Sequence, residues 1–385
     1  MTRSPDDQMA PRRVMGFRDL VLFYVVTGIS LRWIATAAAA GPASILIWIA
    51  AWMAFYLPLV FSVLELSSRY PNEGGLYVWS DRAFGKFSGF MAAWTYWTSN
   101  LPYFPAVLYF AAGNALFLGG GGWKHLEDDP GYYMAFSLLA LALVTALNIV
   151  GLDVGKWLHN LGALGMWLPI LIVLVVGAIA ASKFGWATEF SLASMTPRLE
   201  LKEIIFWSTI AFAFGGCETA SFLGDEIQNP RRSIPRALLV SGVLVTLGYI
   251  GGTVAVLALL PQGEVSPLLG MMQAIEHGAG RLGLALIVPV AALLIALSNL
   301  GAAGAFLAAA ARLPFVGGID HYLPDAFGRL HPRWGTPHVA LLVQFFAGAV
   351  FVLLGQAGTT VKGAYDVLVS LGVITYFVPY LYVFA

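Results

Sequence analysis

Residues 203–236 read EIIFWSTIAFAFGGCETASFLGDEIQNPRRSIPR, an apolar run of membrane-spanning length interrupted by Gly215 and Gly216, with Glu218 two residues further on. A helix broken there leaves backbone N–H and C=O groups without intrahelical acceptors and donors, and hydrocarbon replaces neither. Such a break is tolerated where protein, water or a bound solute completes the backbone, so the stretch points to a solute site inside a helical bundle. The competing reading is close helix packing at a pair of glycines.

The rest of the chain supports a bundle. With 59% hydrophobic and 11% charged residues over 385 positions, it has too little charge to coat a soluble globule. The sequence predicts an all-α polytopic membrane protein with spans at 20–40, 43–66, 86–118, 132–150, 157–182, 203–226, 236–260, 281–311, 338–356 and 364–385. A short helix over 267–280 is expected to lie across the bundle. Balanced formal charge gives no case for a nucleic-acid partner, and the single cysteine, Cys217, excludes an internal disulfide. No phosphate-cradling glycine loop and no HExxH pattern is present, so neither a cofactor nor a metal is expected.

Charge placement sets the expected orientation. With the N-terminus inside, the loops opposite hold only Lys124, Lys183, Arg198, Lys202, Arg281 and Lys362, while most of the 21 lysines and arginines fall on the N-terminal side. That predicts a multi-pass protein of the cytoplasmic membrane with a cytoplasmic, retained N-terminal tail. The chain stops at TYFVPYLYVFA without a closing polar segment, which reads as a truncated piece of a longer protein.

A site built on a broken sixth span predicts a matching break in the first. That span reads LVLFYVVTGISLRWIATAAAAGPAS, with Thr27, Gly28 and Ser30 near its middle and Arg32 beyond. The alternative is an unbroken helix in which Thr27 bonds back to the carbonyl four residues earlier. Two sets of five spans, about 17–182 and 200–385, each headed by a broken helix, would be related by an inverted repeat.

Three segments carry a family resemblance: FSVLELSSRYPNEGGLYVWSDRAFG, AFAFGGCETASFLGDEIQNPRRSIPRAL, and the loop from Arg312 through YLPDAFGRLHPRWGTP. Together they resemble the amino acid–polyamine–organocation (APC) superfamily of permeases. The resemblance implies a five-plus-five inverted-repeat bundle working by alternating access, with an amino acid or related amine as substrate and a proton as a candidate coupling ion; the alternatives are exchange of an amino acid for an amine and, more remotely, a membrane sensor that kept the fold. Most relatives have twelve helices, which agrees with a missing final pair.

The resemblance also supplies site residues. Thr27, Gly28, Ile29 and Ser30 correspond to the break that binds a substrate carboxylate, although the usual Gly-Ser-Gly spacing reads Thr-Gly-Ile here. Phe212, Ala213, Phe214, Gly215 and Gly216 correspond to the break whose carbonyls meet the ammonium group, with Phe212 as an aromatic gate. Tyr96 and Asn100 share a face of the third helix, Asn100 resembling an asparagine that meets the substrate side chain, and Phe306 corresponds to a site aromatic. Ser298 and Asn299 are polar enough to face the cavity.

Glu218 is either a proton acceptor in coupling or a structural partner of the break. Arg32 is read first as its counter-ion and second as a fork for a substrate side-chain carboxylate. Glu65, Arg69, Asp225, Glu226, Arg231 and Arg236 are expected to form a cytoplasmic gate network. The fifth helix has Met166 where some relatives place a lysine, and His159 is read as a loop residue.

Overall fold

The computed structural model describes residues 13–70, 74–198, 200–319, 321–355 and 360–385. The first span is two helices, α1 (Phe17–Gly28) and α2 (Leu31–Ala40). The second runs as α3 (Ala43–Ala51), a π-helical turn (Trp52–Tyr56) and α4 (Leu57–Arg69). The π turn immediately precedes Pro58, whose ring has no N–H and would crowd the carbonyl four residues back in a regular α-helix; one wider turn relieves both problems.

A connecting helix, α5 (Leu76–Phe84), leads into α6 (Lys86–Ala115), followed by α7 (Pro130–Val150), α8 (Leu152–Phe184) and the single turn α9 (Leu192–Met195). The sixth span begins as α10 (Leu201–Ala213), opens at Phe214, and resumes as a 3-10 segment, Thr219–Glu226. The chain continues through α11 (Pro230–Leu259), α12 (Gly270–Leu282), α13 (Ile287–Ile319), α14 (His338–Gly355) and α15 (Val361–Phe384). Among the described residues nine helices are long and apolar enough to cross a membrane. The tenth expected span is the interrupted one, too short on either side of its break to qualify as a continuous crossing.

Helix α12 lies where the sequence predicts a short helix, shifted to 270–282, and buries Met271, Met272, Ala274 and Ile275. Outward faces such as Val243 and Leu247 of α11 and Ile374 and Leu381 of α15 are exposed and apolar, as a lipid-facing surface requires. Where two long helices cross most closely, glycine permits it. A Cβ on Gly162 of α8 would stand 2.7 Å from the Cα of Gly301 in α13, so these backbones touch without side chains between them.

His159 is not a loop residue. It lies inside α8, 1% exposed, with its ring edge-on to Phe23 of α1 at 5.6 Å between centroids. Hydropathy had placed the start of the span at residue 157, whereas the helix begins at Leu152.

Candidate functional site

Both interruptions are real breaks. In the first, Ile29 (φ −118°, ψ 141°) and Ser30 (φ −140°, ψ 127°) are extended between α1 and α2. Thr27 does bond back, its hydroxyl donating to the Phe23 carbonyl at 2.9 Å, and the helix still ends one residue later. In the second, Gly216 adopts φ +106°, a left-handed conformation that disfavours any side chain. A Cβ there would also lie 2.6 Å from the Thr27 carbonyl, and one on Gly215 would lie 2.6 Å from the Tyr376 ring. The glycine pair therefore both turns the chain and lets the two breaks meet.

Tyr249 of α11 ties the breaks together. Its hydroxyl shares its proton between the carbonyls of Ala213 (2.8 Å) and Gly28 (3.1 Å) and accepts the Ser30 N–H at 3.1 Å. One side chain thus completes backbone groups orphaned by both interruptions. The ring is fixed by stacking on Trp48 at 4.3 Å. A second bridge runs through Thr219, whose hydroxyl reaches the Gly216 carbonyl (2.5 Å) and the Thr27 hydroxyl (3.2 Å).

Between the breaks lies a cavity. Of the residues expected at a substrate site, Thr27, Ile29, Ser30, Arg32, Asn100, Phe212, Ala213, Gly215 and Phe306 line it, together with Trp33, Ser99, Tyr103, Tyr249 and Tyr376. Its walls are largely aromatic. Phe212 meets Trp33 and Tyr376 edge-on at 5.5 and 4.8 Å, and Phe306 leans on Tyr103 at 4.7 Å. Ser30 has an unpartnered, buried Oγ here, and Asn100 donates back to the Tyr96 carbonyl at 2.8 Å.

Six of the expected residues stand outside the lining. Gly28 and Gly216 contribute through the backbone contacts just described. Phe214 turns away to pack on Trp48 and Tyr56, and Tyr96 reaches Glu218. Ser298 and Asn299 do not face the cavity; each donates to the Ile295 carbonyl at 2.7 Å. That local bond is the ordinary way a small polar residue is satisfied within an apolar helix.

Glu218 is fully buried and surrounded by donors. Tyr376 and Tyr96 give their hydroxyls to Oε1 at 2.6 and 2.7 Å, and the Gly216 N–H points at Oε2 at 3.2 Å. The expected ion pair with Arg32 is absent. The guanidinium lies instead over the Trp33 ring (4.2 Å) and faces Tyr103 (5.2 Å), with Nε and Nη1 unpartnered. Comparable depth in the two halves did not make the side chains meet, because direction around each helix differs.

The expected gate network is also regrouped. Glu65 and Arg69 pair with each other at 2.7 Å, one turn apart on α4 and with side chains 61% and 66% exposed. Among the described residues Asp225, Arg231 and Arg236 form no ion pair. Glu226 does join a buried pair, with Arg312 of α13 as partner: Nε and Nη2 both donate to Oε1, at 2.9 and 2.5 Å, while Nη1 caps the Ala308 carbonyl. At the same end, Val14 and Met15 donate to the Glu226 carbonyl and Gln228 donates to that of Met15, pairing the segment before α1 with the end of the sixth span. Among the described residues no group of His, Cys, Asp and Glu is placed to hold a metal ion.

Residues 16–385 match the family described as amino acid permease. The chain belongs to that family. The permease is 27% identical over 387 residues to the uncharacterized transporter lpg1691 of Legionella pneumophila, a match spanning 97% of this chain and 80% of that protein. It is 26% identical over 245 residues to the "Probable agmatine/putrescine antiporter AguD" of Lactococcus lactis, covering 63% of this chain and 51% of the other. In fold it matches the crystal structure of MhsT in complex with L-phenylalanine, with a TM-score of 0.66 at 14% identity over 94% of this chain and 88% of that one. The permease is thus a multi-pass membrane protein with the five-plus-five inverted-repeat bundle, its first and sixth helices interrupted.

Sequence reasoning missed Tyr249, Tyr376, Tyr103 and Trp33. Each is an aromatic within an apolar span, indistinguishable by composition from packing residues. The one usable signal was a hydroxyl at membrane depth among glycines, as in TLGYIGG around Tyr249.

Proposed function

We propose that this chain carries an amino acid or related amine across the cytoplasmic membrane by alternating access, with transport coupled to a proton. The observation that carries the reading is the cavity at which two helix breaks meet. The carboxylate of a zwitterion suits the N-terminus of α2, where the N–H groups of Leu31 and Arg32 precede the first bond, from Trp33 N–H to the Ser30 carbonyl, and Ser30 provides no side-chain cap. Its ammonium suits the carbonyl end of α10 and the ring of Phe212. Tyr249 bridges the two breaks beside those groups, through the Ser30 N–H and the Gly28 and Ala213 carbonyls.

Glu218 is assigned the proton. Its carboxylate is buried beside the break, between the Tyr376 and Tyr96 hydroxyls and the Gly216 N–H. A proton on Oε1 makes that oxygen a donor, sets it against the two tyrosine hydroxyls, and loosens the link between the sixth-span break, α6 and α15. The N-terminus is assigned to the cytoplasm by its positive charge, which makes the Glu226–Arg312 pair and the Met15–Ile227 pairing the cytoplasmic closure. The inverted repeats are taken as about 17–182 and 200–385.

A second reading, exchange of an amino acid for an amine, is favoured by the likeness to AguD. The two separate in proteoliposomes. Proton coupling predicts uptake that rises with an imposed inward pH gradient and loses that dependence in Glu218→Gln. Uptake indifferent to the gradient and driven only by internal substrate would reject coupling in favour of exchange.

A further inference from the structure

We propose that the cavity selects an amino acid carrying a second anionic group, and that Arg32 binds that group. This rests on the transport reading above and narrows its substrate. Arg32 is 2% exposed and lines the cavity, yet Nε and Nη1 have no hydrogen-bond partner. Its neighbours are the rings of Trp33 and Tyr103 and the phenol of Tyr365. Among the described residues no carboxylate pairs with it, and the two buried acids are engaged elsewhere, Glu218 by tyrosines and Glu226 by Arg312.

An arginine at membrane depth is costly and is retained where an anion or water meets it. The aromatic faces return part of that cost by cation–π attraction, and they leave the Nε and Nη1 donors without acceptors. The substrate α-carboxylate already has the free N–H groups of α2. A separate guanidinium therefore calls for a separate anion, supplied by an acidic side chain. The same charge disfavours a dicationic amine, whose distal nitrogen would face it without screening.

The test compares near-isosteres in proteoliposomes. Uptake of labelled L-glutamate and L-aspartate is measured against L-glutamine and L-asparagine, with agmatine as a competitor, for wild type, Arg32→Gln and Arg32→Lys. The expected result is a wild-type preference of about tenfold or more for an acid over its amide. Arg32→Gln should reduce that ratio to near unity, Arg32→Lys should retain part of it, and agmatine should compete poorly. Transport of the amides with the acids ignored, or a ratio unchanged in Arg32→Gln, overturns the assignment and leaves the transport reading standing. Should Arg32→Gln fail to fold, the wild-type acid-to-amide ratio still decides. Transport of no amino acid at all removes the transport reading itself, and this inference with it.

Discussion

Tyr376 gives its hydroxyl to Glu218 at 2.6 Å, joining the last helix of the bundle to the interrupted sixth span. The carboxylate would otherwise sit in an apolar interior with Tyr96, the Gly216 N–H and the weak Cys217 thiol donor to satisfy it. Tyr376→Phe should lower stability by about 1–3 kcal/mol, the range for removing a hydrogen bond to a buried charged group. Thermal unfolding in detergent measures it, and an unchanged unfolding temperature would mean that the bond contributes little.

Tyr249→Phe removes a donor to two carbonyls and an acceptor for the Ser30 N–H while preserving the stack on Trp48. The protein should fold, because the ring packing survives. Uptake should fall by about tenfold or more, since both breaks lose the group that holds them in register. Initial rates normalised to folded protein provide the readout.

Gly216 combines positive φ with close contact to the Thr27 carbonyl, whereas nothing stands within 4 Å of a Cβ on Gly121. Gly216→Ala should destabilise by about 1–3 kcal/mol or abolish folding, and Gly121→Ala should be neutral. Equal behaviour of the two variants in a fluorescence size-exclusion assay would show that the break tolerates a side chain.

The buried Glu226–Arg312 pair and the exposed Glu65–Arg69 pair should differ sharply. Breaking the buried Glu226–Arg312 pair by Glu226→Gln should cost about 3–5 kcal/mol, because the buried guanidinium loses the charge that Nε and Nη2 both meet. Breaking the exposed Glu65–Arg69 pair by Glu65→Gln should cost about 1 kcal/mol or less. Chemical denaturation of both variants ranks them, and a reversed order would refute the assignment of the closure to Glu226 and Arg312.

What the sequence made legible were local features in apolar surroundings. Gly215, Gly216, Thr27 and Ser30 are anomalies within a membrane-length run, and a break can be read from the run that contains it. Partnerships were not legible, because they depend on rotation about helices far apart in the chain. Glu218 and Arg32 occupy similar places in the two halves, yet one turns toward Tyr96 and Tyr376 and the other toward Trp33 and Tyr103. Glu226 and Arg312 both stood out as charges near span ends, and only the packing of α13 against the sixth span pairs them. Tyr249 had only the glycines around it as a signal, since an aromatic that completes a backbone looks like one that fills a core.

The central claim, alternating access through the cavity between the breaks, is tested most directly by counterflow. Proteoliposomes loaded with unlabelled amino acid are diluted into a trace of labelled amino acid, with no ion gradient, and internal label is followed in time. The account predicts transient accumulation of label above its equilibrium level, because a carrier that re-orients with bound substrate exchanges label inward faster than the diluted outside can recapture it. A monotonic approach to equilibrium with no overshoot, for a folded protein tested across acidic and neutral amino acids, would contradict it.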